Sequence, residues 1–146
     1  MIDNILVVCE GNICRSPMAQ ALLARELPSA RVGSAGCSAL AGRRADPLAV
    51  ELMAERGIDL GEHIAIDLNL QHMRSADLIL TMTESQRRRI EAGYPFSKGR
   101  VFRIGEFEKI DVIDPYRRGR SVFELALNQI EKSMKRWVDK MNRIKN

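Results

Sequence analysis

Short apolar runs, each long enough only for a strand, alternate along this chain with segments whose apolar residues recur at helical spacing, and that alternation leaves few architectures open. Residues 4–8 (Asn-Ile-Leu-Val-Val) are almost wholly apolar and rich in β-branched side chains, the pattern of a parallel strand covered on both faces. Residues 77–82 (Asp-Leu-Ile-Leu-Thr-Met) repeat it, and shorter strands are expected near 31–34 and over Val101-Phe102-Arg103-Ile104. Between the strands, Met18, Ala21, Leu22 and Arg25 follow helical spacing behind Ser16-Pro17, where proline is tolerated in a first turn. Asp46-Pro47 reads as the N-cap and first residue of a helix over about 46–56, closed by Gly57. Thr83-x-x-Gln86 and Ser121-x-x-Glu124 are capping-box patterns; the first opens a helix that Gly93 ends and the second opens a long final helix. Along that helix Phe123, Leu127, Ile130, Met134, Trp137, Met141 and Ile144 form one apolar stripe, expected to pack on the sheet rather than seed a coiled coil.

Strands alternating with helices imply an α/β fold: a single domain with a four-stranded parallel sheet and helices on both faces, Rossmann-like and doubly wound. The 146 residues suit one domain with one real core, and no apolar run approaches the length of a membrane span, so no stable membrane insertion is expected. No basic stretch leads into a long apolar segment with a cleavage site, and an odd count of three cysteines makes no secreted disulfide framework. A cytoplasmic location is the expectation. A net charge of +4 favours acidic partners, phosphate included. Much of the excess, however, sits on the final helix as Lys132, Lys135, Arg136, Lys140, Arg143 and Lys145, the mark of a solvated face, and no nucleic-acid partner is expected.

Ligands of such sheets bind beyond the carboxyl ends of the strands, which is where Cys9-Glu10-Gly11-Asn12-Ile13-Cys14-Arg15-Ser16 falls. Between a buried strand and a helix start, several N–H groups lack intrahelical partners and the helix dipole favours an anion. Gly11 lets the chain curl into a nest of inward N–H groups, and Arg15 can give two hydrogen bonds to two phosphate oxygens. The same field stabilises a thiolate on Cys9 at the mouth of the cradle, and the Ser16 hydroxyl is within reach to support it. A nucleoside-triphosphate loop would need Gly-Lys-Ser/Thr, which is absent, and Cys9, Cys14, Cys37, His63 and His72 lack the paired spacings of structural zinc. No metal and no cofactor are expected. A lone cysteine here would read as a small buried hydrophobe; with Gly11, Arg15 and Ser16 at these offsets it reads as a nucleophile.

The run Val7-Val8-Cys9-Glu10-Gly11-Asn12-Ile13-Cys14-Arg15-Ser16-Pro17-Met18-Ala19 closely resembles the signature of the low-molecular-weight protein tyrosine phosphatases of bacterial type. The resemblance continues through Ser34-Ala35-Gly36, His63 with Ala65, residues 77–82 and Asp114-Pro115-Tyr116, and so spans essentially the whole chain. It implies hydrolysis of phosphotyrosine in proteins through a phosphocysteine on Cys9, with Arg15 holding the phosphate and Asp114 as general acid and then base. It implies that Asn12 locks the loop through Ser16, Ser34 and His63, and that Leu40 and Tyr116 wall the substrate ring. Glu10, Gly11, Ile13 and Cys14 complete the phosphate loop. The family resemblance names as partner a phosphotyrosine protein, among them a bacterial tyrosine kinase linked to exopolysaccharide production, and a monomer or weak dimer is expected. The chain departs from the family pattern after Tyr116, where Arg117-Arg118 replace a common second aromatic or glycine.

Two other readings share this loop. A thioredoxin-coupled arsenate reductase needs relay cysteines downstream, and none follows Cys37. A non-catalytic phosphotyrosine-binding module would have no use for Cys9, Arg15 and Asp114 together. For Cys14 two readings stand side by side, a reversible disulfide with Cys9 that guards it from overoxidation, or simple packing beneath the loop.

Overall fold

The computed structural model of the protein describes residues 2–145. Four strands, β1 (Asn4–Cys9), β2 (Arg31–Gly36), β3 (Leu78–Thr81) and β4 (Val101–Arg103), pair in parallel in the order β2-β1-β3-β4. Alternate residues of β1 go to opposite faces, as the pleat requires. Ile5, Val7 and Cys9 enter the larger core with α1 (Arg15–Glu26), α2 (Pro47–Ala54) and α5 (Arg120–Lys145). Leu6 and Val8 enter a smaller one with Met73 of α3 (Leu70–Ser75) and Ile90 of α4 (Glu84–Gly93). Both faces of β1 are therefore covered, which is why its sequence is a continuous apolar run instead of an alternating one. Because β2 lies on one side of β1 and β3 on the other, the order reverses at β1, and the crevice at its carboxyl end is the natural ligand position.

Local chemistry explains most helix starts. The Asp46 carboxylate accepts the Leu48 N–H at 2.9 Å ahead of Pro47; at the start of α4 the Thr83 hydroxyl accepts the Gln86 N–H at 3.1 Å and Gln86 Oε1 accepts the Thr83 N–H at 3.2 Å. Helix α3 escapes the sequence patterns because its box is Asn69 with His72: His72 N–H donates to Asn69 Oδ1 at 2.9 Å, and His72 Nδ1 accepts the Asn69 N–H at 3.2 Å. Burial lowers the His72 pKa from its ordinary value, which keeps the ring neutral and able to accept. The expected box at Ser121 does not form. Helix α5 begins at Arg120, two residues before the start that a Ser121 cap would give, the Gly119 carbonyl accepts from Val122 and Phe123, and the Glu124 carboxylate is drawn instead to Arg120 at 2.7 Å.

The stripe on α5 packs against the sheet and α1 from Phe123 to Met141, and the Trp137 indole N–H donates to the Ile104 carbonyl at 2.8 Å. It ends there: Ile144 is 59% exposed. No helix among the described residues is long and apolar enough to cross a membrane.

Candidate active site

The loop from the end of β1 to the start of α1 is shaped by where its carbonyls go. Those of Cys9, Glu10 and Gly11 accept the N–H groups of Cys37, Ser38 and Leu40 at 2.9, 2.9 and 3.0 Å. The Asn12 carbonyl takes His63 Nε2 at 2.7 Å, which therefore carries the ring hydrogen, and the Ile13 carbonyl takes the Asp46 N–H at 2.8 Å. With five successive carbonyls tied outward, the N–H groups face inward; those of Glu10, Gly11, Ile13, Cys14 and Arg15 have no partner among the described residues. Nor does any side chain cap α1, whose N-cap is Cys14. The result is a run of unpartnered donors at a helix N-terminus, the kind of place where oxyanions bind. Gly36 is needed where β2 passes behind this loop, since a Cβ there would lie 2.7 Å from the Glu10 carbonyl oxygen.

Asn12 sets the hydrogen pattern beneath the ring. It takes the left-handed region at φ +59°, tolerated by Asn better than by most residues, and is fully buried. The Ile66 N–H donates to its Oδ1 at 3.0 Å, which fixes the amide orientation, so Nδ2 donates to both Ser16 Oγ at 2.8 Å and Ser34 Oγ at 3.0 Å. Ser34 passes its own hydrogen to Gln20 Oε1 at 2.6 Å. The one hydrogen left on Ser16 then points at Cys9 Sγ, 2.9 Å away, and the Asn12 N–H reaches the same sulfur at 3.3 Å. Two donors thus converge on a buried sulfur. Replacing Asn12 by Ala strands these partners and puts a Cβ-only residue at positive φ. Unfolding in urea is expected to show a loss of about 2 kcal/mol or more, with turnover reduced as well; an Ala variant as stable as the wild type would contradict this network.

Above the ring lies a cleft of about 140 Å³. Its floor is Cys9, Glu10, Gly11, Ile13, Cys14 and Arg15, one wall is Ser38 and Leu40, and the other is Asp114 and Tyr116. Arg15 is 3% exposed and is aimed by the segment it faces, its Nη1 donating to the Val112 carbonyl at 2.9 Å while Nη2 lies 3.6 Å from Asp114 Oδ2. That segment is held in turn from four places: the Val112 N–H donates to the carbonyl of Met82, just past β3, Asp111 Oδ1 accepts from the Glu84 N–H of α4 and from Arg103 of β4, and the Ile113 N–H donates to Gln129 Oε1 of α5 at 2.8 Å. Asp114 itself is open to the cleft, and its Oδ1 accepts the Tyr116 N–H at 3.1 Å.

All three cysteines are free. Burial first, then the Asp46 carboxylate, raises the pKa of Cys14 far above its ordinary value, so it stays a thiol; burial pushes Cys37 up to about 11. Ser34 and His63 do not line the cleft but each makes one bond to Asn12. Sequence reasoning missed Gln20, Val112, Gln129 and Arg89, whose guanidinium bridges Glu10 and Ser38 at the rim. Gln20 had a signal, lying one helical turn beyond Ser16; the others join through long-range packing alone. Among the described residues no three His, Cys, Asp or Glu side chains converge as metal ligands.

A cysteine sulfur at the centre of an amide-lined loop on a parallel sheet, with an arginine and a carboxylate above it, defines a cysteine-dependent phosphatase. The sequence profile described as low molecular weight phosphotyrosine protein phosphatase matches residues 4–146, and the chain belongs to that family of protein-tyrosine phosphatases. It is 52% identical over 141 residues to the "Probable low molecular weight protein-tyrosine-phosphatase EpsP" of Ralstonia solanacearum, covering 97% of each chain. The crystal structure of the tyrosine phosphatase Wzb from Escherichia coli K30 in complex with sulphate superposes with a TM-score of 0.92 at 35% identity, covering 97% of this chain and 99% of that one. The YwlE arginine phosphatase from Geobacillus stearothermophilus also shares the fold, with a TM-score of 0.90 at 33% identity over 97% of this chain and 94% of that one.

Proposed function

We propose that this enzyme hydrolyses phosphotyrosine in proteins in two steps carried by Cys9, Arg15 and Asp114, with no metal or cofactor. The observation that carries the reading is Cys9 Sγ at the centre of the inward N–H ring, held by two donors. In the first step the Cys9 thiolate attacks phosphorus, an S–P bond forms, the P–O bond to tyrosine breaks, and Asp114 gives its proton to the departing phenolate. In the second, water attacks the phosphocysteine, its proton goes to the Asp114 carboxylate, and the S–P bond breaks to return thiolate and inorganic phosphate. Arg15 and the loop amides bind the equatorial oxygens in both, and the Ser16 hydroxyl stabilises the sulfur as leaving group.

Substrate choice follows from depth. Cys9 is 2% exposed at the bottom of a cleft walled by Leu40 and Tyr116, so a phenyl ring bridges floor to mouth between apolar faces, whereas phosphoserine would force peptide backbone against the walls. The enzyme works as one domain over residues 1–146, a cytoplasmic monomer or weak dimer. Its partner is a phosphotyrosine protein and, as the family resemblance implies, a bacterial tyrosine kinase linked to exopolysaccharide production.

The test is hydrolysis of matched phosphotyrosine, phosphoserine and phosphoarginine peptides in EDTA by wild type and Asp114→Asn. Only the phosphotyrosine peptide is expected to turn over well. Asp114→Asn should lose about 10²–10⁴-fold on it, and less on p-nitrophenyl phosphate, whose leaving group departs without a proton. Preference for phosphoserine or phosphoarginine, or a loss that ignores the leaving group, would overturn the assignment.

A further inference from the structure

We propose that Arg117, with Arg118 beside it, reads an acidic side chain next to the phosphotyrosine, so that the preferred substrate is a phosphotyrosine segment flanked by Asp or Glu; this rests on the phosphotyrosine reading above. Pro115–Arg118 is a four-residue turn closed by the Arg118 N–H donating to the Pro115 carbonyl at 2.9 Å. Arg117 occupies its third position at φ +60°, where glycine is the ordinary residue. A long side chain is thus kept at a place where the backbone disfavours one, and such strain is characteristic of ligand clamps. What holds it is Tyr116: the Arg117 guanidinium carbon lies 5.2 Å from the centroid of the ring that walls the cleft. One face of Tyr116 carries the cation while the ring borders the cleft, so the charge stands at the mouth.

The charge balance of that mouth leaves these two arginines over. Glu10 is matched by Arg89 at 3.0 Å and Asp114 by Arg15 at 3.6 Å. Arg120, next along the chain, is occupied by Glu51, Glu55 and Glu124. Arg117 and Arg118 are exposed and form no ion pair among the described residues. Arg117 lies on the ring that borders the cleft and Arg118 follows it in the same turn, and carboxylates are the groups that complement unmatched guanidinium groups.

The experiment compares two phosphotyrosine peptides of one length, flanked by Glu in one and Gln in the other, with wild type, Arg117→Gln, Arg117→Gly and the Arg117→Gln/Arg118→Gln double variant. At low salt the wild-type kcat/KM is expected to favour the Glu peptide by about threefold to tenfold, as rim charges do. Arg117→Gln and Arg117→Gly should both lower that ratio, and the double variant should bring it near one. In about 1 M salt, where screening reaches only about 3 Å, the wild-type ratio should also collapse. Equal turnover of the two peptides by wild type, or a preference that survives in the double variant, overturns the proposal while leaving phosphotyrosine hydrolysis standing. Hydrolysis of neither peptide would remove the underlying reading and this proposal with it.

Discussion

Cys9→Ser should abolish turnover of phosphotyrosine peptides and of p-nitrophenyl phosphate alike, by on the order of 10⁴–10⁶-fold, while leaving the fold and the oxyanion site in place. The loop geometry makes the two effects separable. Five carbonyls from Cys9 to Ile13 are tied to partners outside the loop by bonds that do not involve the sulfur, so the inward N–H ring persists when oxygen replaces it. A serine hydroxyl is far less acidic than a thiol, and the two donors that hold the sulfur at 2.9 and 3.3 Å cannot make an alkoxide at neutral pH. Inorganic phosphate should still raise the melting temperature of the variant, by mass action on the folded state. Residual turnover within tenfold of wild type would place the nucleophile elsewhere.

Arg15→Lys should cost about 10²–10³-fold in kcat/KM or more, with both kcat and KM affected. A lysine keeps the charge but presents a point donor, whereas the guanidinium is used on two sides at once. Its Nη1 is spent on the Val112 carbonyl at 2.9 Å, and that bond aims the rest of the fork at the ring. The site is nearly closed to water, with Arg15 3% exposed, so the lost bond to Val112 is not replaced by solvent. Because Val112 belongs to the segment that carries Asp114, the substitution should also weaken the leaving-group step: the loss is expected to be larger on phosphotyrosine than on p-nitrophenyl phosphate. Steady-state kinetics on the two substrates measure this directly, and a lysine variant with unchanged kcat would contradict the role.

What the sequence revealed and what it hid divide along the range of the interactions. Strands β1 and β3 were legible because burial on both faces demands an unbroken apolar run, and α4 was legible because Thr83 and Gln86 carry the whole capping signal within four residues. The phosphate loop is equally local, since the strand end, Gly11, Arg15 and the start of α1 are contiguous. Helix α3 was missed because histidine takes the place of Glu or Gln in its box, and the box at Ser121 was misread because the Glu124 carboxylate has a stronger partner in Arg120, which also serves Glu51 and Glu55 on α2. Asp114 had no local pattern beyond a loop-breaking Asp-Pro. Its arrival at the cleft depends on bonds to residues 111–113 from Met82, just past β3, and from α4, β4 and α5, which no spacing encodes, and family resemblance alone pointed to it. Leu40, Ser34 and His63 are of the same kind: each meets the loop through a fold that must first form.

In the proposed mechanism the phosphoryl group passes through a covalent bond to Cys9. Rapid quenching of wild-type enzyme during turnover of a phosphotyrosine peptide, followed by mass spectrometry of its proteolytic fragments, tests this most directly. A phosphoryl group is expected on the fragment bearing Cys9 at early times, formed together with a burst of dephosphorylated peptide equal to the enzyme present and absent from Cys9→Ser. Turnover with no burst and no phosphoryl group on Cys9, or a phosphoryl group on another residue, would contradict it.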